Sequence, residues 1–393
     1  MEEKLAFRLP DSPKFASGAL AAASLGVVLS AAGLIVDKAH FFHSYLIAYA
    51  FWLTLALGAL FFTMLHHLTG ATWSVVLRRL SEILMSSILL LIFLFIPVLA
   101  GMGYLYHWSL HDVTVLDPAL SAKASYLNTW FFIARTIIYF LVWAFLARSL
   151  YRISLAQDKI FDQKQGEKMK RISAPGMVLF AFTITFASFD WFMSLSPRWY
   201  STVFGVYIFS GSLLAALAFI TLLTIYLRRQ GVLADVITVE HFHDLGKLTF
   251  TFTVFWGYIA FAQYFLIWYG NIPEETVWFR QRWGGWWQFL SLLLVFGHFV
   301  LPFLVLITRG AKRNISIMKF AAVWLLIMHW VDLYWVVMPN YPRNAVSLLW
   351  TDLGAMLAIG GLFLLFLRRR LSAGPLVPIN DPRLEDSIQL MSD

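Results

Sequence analysis

The sequence predicts an all-α integral membrane protein that crosses a bilayer ten times, and three observations lead there. Of its 393 residues 60% are apolar, 17% aromatic and only 13% charged, more hydrocarbon than a soluble core can use. The apolar residues come in blocks of about twenty, the length a helix needs to cross roughly 30 Å of hydrocarbon. The basic residues gather on one side: Lys38, Lys123, Arg198, Arg280, Arg282 and Arg343 lie opposite, Arg135 lies within a span, and the other 23 of the 30 Lys and Arg share the side of both termini. The positive-inside rule makes that side cytoplasmic, and one miscounted span would break the alternation. The net charge of +8 is accounted for by these loops, so nucleic acid is not expected as a partner.

Each span follows from its apolar run. The first, 16–36, comes after a polar start with Lys4, Arg8 and Lys14. It is longer than a signal-peptide core and has no small-residue cleavage site, so it reads as an uncleaved helix. The others are 44–66, 83–106, 125–146, 174–195, 203–227, 248–269, 286–307, 315–337 and 347–367. Residues 157–171, of mixed charge, read as a solvated connector, and the aromatic stretch 278–288 reads as a loop in the headgroup belt. The tail after Arg370, with Pro375, Pro378 and Pro382, reads as extended and placed to lie along a neighbouring subunit. With no cysteine the chain has no disulfide and no thiolate ligand for an iron–sulfur cluster.

Ionisable residues inside the spans carry the functional signal, because a charge at membrane depth is costly and marks an ion, proton or ligand pathway. Asp190 sits in FTITFASFDWFMSLSPRW and precedes Pro197 by seven residues; Asp332, in HWVDLYWVVMPNY, precedes Pro339 by seven. The two stretches read as equivalent members of two half-repeats. Arg135 in the fourth span lies at a depth where it can pair with a carboxylate, and His329 shares a helix face with Asp332 at i, i+3 spacing. His298, four residues before Pro302, lies deeper. His66 and His67 close the second span at the cytoplasmic side, and Glu82 opens the third. As a set these suit a proton relay or a quinone headgroup site. Each also has a plain structural reading: an Arg135–Asp190 ion pair locking two helices, carboxylates capping near the interface, histidines bonded between helices. A bis-histidine haem is a rival, with His298 and His329 as its only plausible ligand pair. No metal-ligand spacing, nucleophile elbow or phosphate loop is present.

Three runs, FASFDWFMSLSPRWYSTVFG (186–205), FAQYFLIWYGNIPEETVWFRQR (261–282) and HHLTGATWSVVLRRLSE (66–82), resemble the F subunit of bacterial alternative complex III, a relative of the NrfD-like polysulfide-reductase membrane anchors. The resemblance covers nearly the whole chain. It implies two four-helix bundles, helices 2–5 and 6–9, with helices 1 and 10 peripheral, and hence divisions at 1–42, 43–200, 201–342, 343–370 and 371–393. It implies a bacterial inner-membrane subunit of a quinol:electron-acceptor oxidoreductase. The expected partners are a sister NrfD-like subunit, iron–sulfur and multihaem cytochrome c subunits, membrane lipids and quinone or quinol. Haem and iron–sulfur clusters then belong to the partners, and this chain carries no covalent cofactor. Its own part is a second quinone pocket or a proton path, the outer half using Asp190, Arg135, His329 and Asp332 and the inner half His66, His67 and Glu82. A secondary transporter and a purely structural scaffold are the alternatives from other classes.

Overall fold

The computed structural model describes residue 9 and residues 13–110, 117–159, 163–342 and 350–390. Among these there is no strand, and ten helices are long and apolar enough to cross a membrane, so the chain is a multi-pass membrane protein. They are α1 (Pro13–Val36), α2 (Lys38–Thr69), α3 (Val75–Ala100), α4 (Thr129–Gln157) and α5 (Gln163–Trp191). The second five are α6 (Phe204–Arg229), α7 (Val239–Gly270), α8 (Trp286–Leu306), α9 (Ile315–Val337) and α10 (Trp350–Leu371). Lys4, Arg8, Arg343 and the expected start of the tenth span at 347 fall outside the described residues.

The helices outrun their apolar cores. In place of a connector over 157–171, α4 continues to Gln157 and α5 already begins at Gln163. Gln, Glu, Lys and Met there are good helix formers, so a helix continues past the hydrocarbon into charged sequence. Side-chain caps fix several starts: Asp37 accepts from the His40 amide at 3.0 Å, and Asn128 from that of Phe131 at 2.9 Å. Gly70, at φ 64°, ends α2 in the left-handed conformation that glycine adopts without strain. Two helices are irregular. The regular turns of α3 break after Met85 and again after Leu94, before Pro97, and α8 holds a π-helical stretch, Leu294–Val300.

Packing centres on two helices. The apolar window of α2 is 89% buried and that of α6 is 83%, against 28% for α1, α7 and α8. These two pack on each other, and α2 also meets α3, α5, α9 and α10, while α6 meets α5, α7 and α9. One apolar cluster runs through both halves. Small residues allow the closest approaches: a Cβ on Gly58 would lie 2.3 Å from the Ser212 carbonyl oxygen of α6, and one on Gly26 of α1 2.1 Å from the Ala358 nitrogen of α10.

The tail does not extend away. Leu376 and Val377 are buried, a short helix forms at Leu384–Ile388, and the segment folds back beneath its own helices. Ser387 Oγ donates to the Trp73 carbonyl at 3.1 Å, and the Ser387 carbonyl pairs with His241 Nε2 at 3.0 Å. Asn380 Nδ2 donates to the Asp158 carbonyl at 3.0 Å. Apolar side chains between the prolines, and backbone groups that the helix starts can satisfy, hold it against its own chain.

Candidate functional site

In the first half, Asp190 near the end of α5 and Arg135 on α4 form a bidentate ion pair, with Nε to Oδ2 at 2.8 Å and Nη2 to Oδ1 at 2.9 Å. Tyr139, one turn along α4, donates its hydroxyl to Oδ2 at 2.7 Å. The guanidinium has further support: Nη1 donates to the Tyr126 carbonyl at 3.0 Å, and the Tyr126 and Phe131 rings lie 3.8 and 4.2 Å from its carbon. Asp190 is fully buried and Arg135 nearly so. Both carboxylate oxygens are engaged by a fixed cation in fork geometry, which holds the group in place.

In the second half, Asp332 near the end of α9 is equally buried but meets neutral donors only. The Tyr207 hydroxyl of α6 donates to Oδ1, and Trp256 Nε1 of α7 donates to Oδ2 at 3.1 Å. No arginine or lysine lies within ion-pair distance of it among the described residues. The Trp256 ring packs at a tilt against His298 of the π-helical stretch, centroids 4.0 Å apart. His298 is fully buried with no hydrogen-bond partner at either ring nitrogen. One turn below Asp332, His329 Nε2 bonds Thr54 Oγ1 of α2 at 2.8 Å, and its Nδ1 has no partner. A Cβ on Gly211 would lie 3.3 Å from that Nδ1, so glycine there leaves the nitrogen uncovered. Unsatisfied buried nitrogens are costly, and π-helical stretches recur at functional sites.

At the end where α1 begins and α10 finishes, His66, His67 and Glu82 come together, with groups the sequence reading passed over. Glu82 lies between Arg78 Nε at 3.1 Å and Arg79 Nε at 3.5 Å and accepts from Ser154 Oγ at 2.7 Å. Arg79 reaches Asp158 at 2.6 Å, and Arg78 pairs with Asp381 of the tail. His66 Nδ1 bonds Ser74 Oγ at 2.6 Å; His66 Nε2 and His67 Nε2 have no partner. Burial pushes the Asp158 carboxyl up to about 6 in spite of Arg79. Burial acts the same way on Asp381, but Arg78 and Arg383 outweigh it and hold that carboxyl below its ordinary value.

The structure therefore gathers the eight expected residues into three groups. Thr54 and His66 are twelve residues apart on α2, about 18 Å along the axis. Between them α2 offers one polar side chain, Thr63, bonded to Ser81. Among the described residues no continuous hydrogen-bonded chain joins the Asp332 group to the His66 group. The His298–His329 pair does not fit a haem: the Trp256 ring covers His298 and Thr54 occupies His329 Nε2. An apolar cavity of about 160 Å³ between α2, α5 and α6, lined by Phe61, Phe180, Ile184, Thr185, Gly205 and Phe209 among others, contains none of the eight and offers a quinone headgroup no charged partner.

Sequence reasoning missed Tyr139, Tyr207, Trp256 and Thr54, whose signal is only a polar atom at the right helical position. It also placed Arg282 in an outer loop, although the residue is wholly buried. The helix Pro273–Gln281 carries it into the protein, with Trp278 buried rather than in the headgroup belt. No protein-family model matches the chain, and no curated protein matches it.

Proposed function

We propose that this chain is a membrane subunit of a quinol:electron-acceptor oxidoreductase complex of the alternative complex III type, and that its own part is to handle protons at Asp332. The observation that carries this reading is a buried carboxylate bonded to a tyrosine hydroxyl and an indole N–H, with the free Nδ1 of His329 one turn away and the unpartnered His298 behind the indole. Such a carboxyl can change protonation without breaking an ion pair, and the histidines offer the next sites for the proton. Electrons would pass through haem and iron–sulfur clusters of partner subunits. The distribution of basic residues supports cytoplasmic termini, which puts Asp332 in the outer half, and the resemblance implies a bacterial inner membrane. A quinone pocket within this chain is the weaker reading, since the apolar cavity suits hydrocarbon and not a headgroup.

Asp190 with Arg135 fits better as the lock between α4 and α5. The test is Asp332→Asn in the purified complex. Co-isolation with haem- and iron–sulfur-bearing subunits, and quinol-driven turnover lowered by about 100-fold, is the expected result. Wild-type turnover in a fully assembled variant would remove Asp332 from the reaction. A chain isolated alone that accumulates solute in vesicles would make it a transporter.

A further inference from the structure

A helix end exposes carbonyl groups equivalent to about half a negative charge, which works against any carboxylate nearby. Both carboxylates face this difficulty. Asp190 is the second-last residue of α5, and Asp332 lies five residues before the end of α9. At α5 the terminal carbonyls receive neutral donors: the Phe192 amide on Ser188, Ser194 Oγ on Asp190 and the Tyr106 hydroxyl on Trp191. The cation Arg135 is then spent on the Asp190 side chain itself.

At α9 the arrangement is reversed. Arg282 Nε donates to the Trp335 carbonyl at 3.0 Å and Nη2 to that of Val336 at 2.9 Å, while Nη1 holds the Trp278 carbonyl at 2.8 Å. Asn340 completes the end on Val336 and Val337, and the Met338 amide takes Tyr334. The guanidinium lies 3.5 Å from the centre of the Trp278 ring and 5.1 Å from that of Trp335. Ser291 of α8 ties the site together, donating to the Arg282 carbonyl at 2.8 Å and accepting from Trp335 Nε1 at 2.8 Å. Arg282 is fully buried and, among the described residues, has no carboxylate within ion-pair distance. Besides the Trp278 carbonyl and the two indole rings, the buried cation meets only the end of α9, the helix that carries Asp332. The Trp335 carbonyl is three residues, about 4.5 Å of rise, from Asp332.

We propose that Arg282 is the second half's counterpart of Arg135: a fixed cation moved from the carboxylate to the backbone carbonyls of the same helix end, which lets Asp332 carry a negative charge while its oxygens stay free of any ion pair. Arg282 is thus a positioning residue acting through Asp332, and this rests on the reading of Asp332 as the proton-handling group. Besides Arg282, the groups facing Asp332 are Tyr207 from α6, Trp256 from α7 with His298 of α8 behind it, and His329 on α9 itself.

The experiment is an infrared pH titration of the protonated-carboxyl band in the purified protein without quinol, the band being assigned by its loss in Asp332→Asn. With Arg282→Gln the band persists to higher pH by about one unit or more, a tenfold rise in proton affinity. Arg282→Lys, which keeps the charge, leaves the titration in place and keeps the idea testable if Arg282→Gln does not assemble. An unmoved titration in folded Arg282→Gln, or a unit's shift in Arg282→Lys, overturns the proposal. Persistence of the band in Asp332→Asn would defeat the proton-handling reading instead.

Discussion

Asp190 and Asp332 stand at matching places, each seven residues before a proline at the end of a membrane helix, yet their oxygens meet opposite kinds of donor. The first lies in the fork of Arg135 with Tyr139 beside it; the second is bound by Tyr207 and Trp256, and its arginine sits on the backbone. A bidentate pair fixes charge and geometry together, whereas neutral donors leave the charge able to change. On the proposed reading the difference separates a locking carboxylate from one that handles protons, although the two are alike in sequence setting and burial.

That comparison is most exposed to removal of the fixed cation. Arg135→Leu leaves Asp190 buried and unpaired, and a loss of about 3–5 kcal/mol in stability, seen as failed assembly or a large drop in Tm, is expected. The double replacement Arg135→Leu with Asp190→Leu should recover most of the loss, since paired apolar groups of similar volume replace buried ion pairs at little cost. A double variant no better than the single one would mean that Asp190 does more than balance Arg135. A smaller effect separates the two tyrosines. Tyr139→Phe and Tyr207→Phe each remove one hydrogen bond to a carboxylate, about 1.5–3 kcal/mol, but only Tyr207→Phe should alter the pH dependence of turnover. Equal pH profiles in the two variants would erase the distinction drawn between the halves.

The tail gives the smallest effect. Asp381 is held below its ordinary value of 3.8, so its contribution to anchoring the tail is complete above that pH and is lost as pH falls through the lower folded value. Amide exchange of residues 376–390, corrected for its intrinsic pH dependence, should therefore accelerate below pH 3.8 and stay level from pH 7 down to 5. Acceleration already in the upper range would show that another group holds the tail.

The ten spans were legible because a membrane helix needs about twenty apolar residues and few other elements use them. Their ends were not. At residues 157–171 charged side chains look like loop, but beyond the hydrocarbon a helix can be polar on every side. The tail was misread because its prolines were weighed over Leu376 and Val377, which bury. Of the site, the charges themselves were readable, including the two alternatives for Asp190 and Arg135. Their partners were not, since a tyrosine or tryptophan in a span is ordinary until its polar atom is seen on a carboxylate. The π-helical turn that presents His298 leaves no mark in composition, and Arg282 looks like any loop arginine until Pro273–Gln281 is seen folding inward.

The central claim is that Asp332, held by neutral donors, changes protonation as the protein works. Redox-difference infrared spectroscopy of the assembled complex, run on the wild type and on Asp332→Asn, addresses it directly. A carboxyl band that appears on quinol addition in the wild type and vanishes in the variant is the predicted result; a band of unchanged intensity in Asp332→Asn would contradict it.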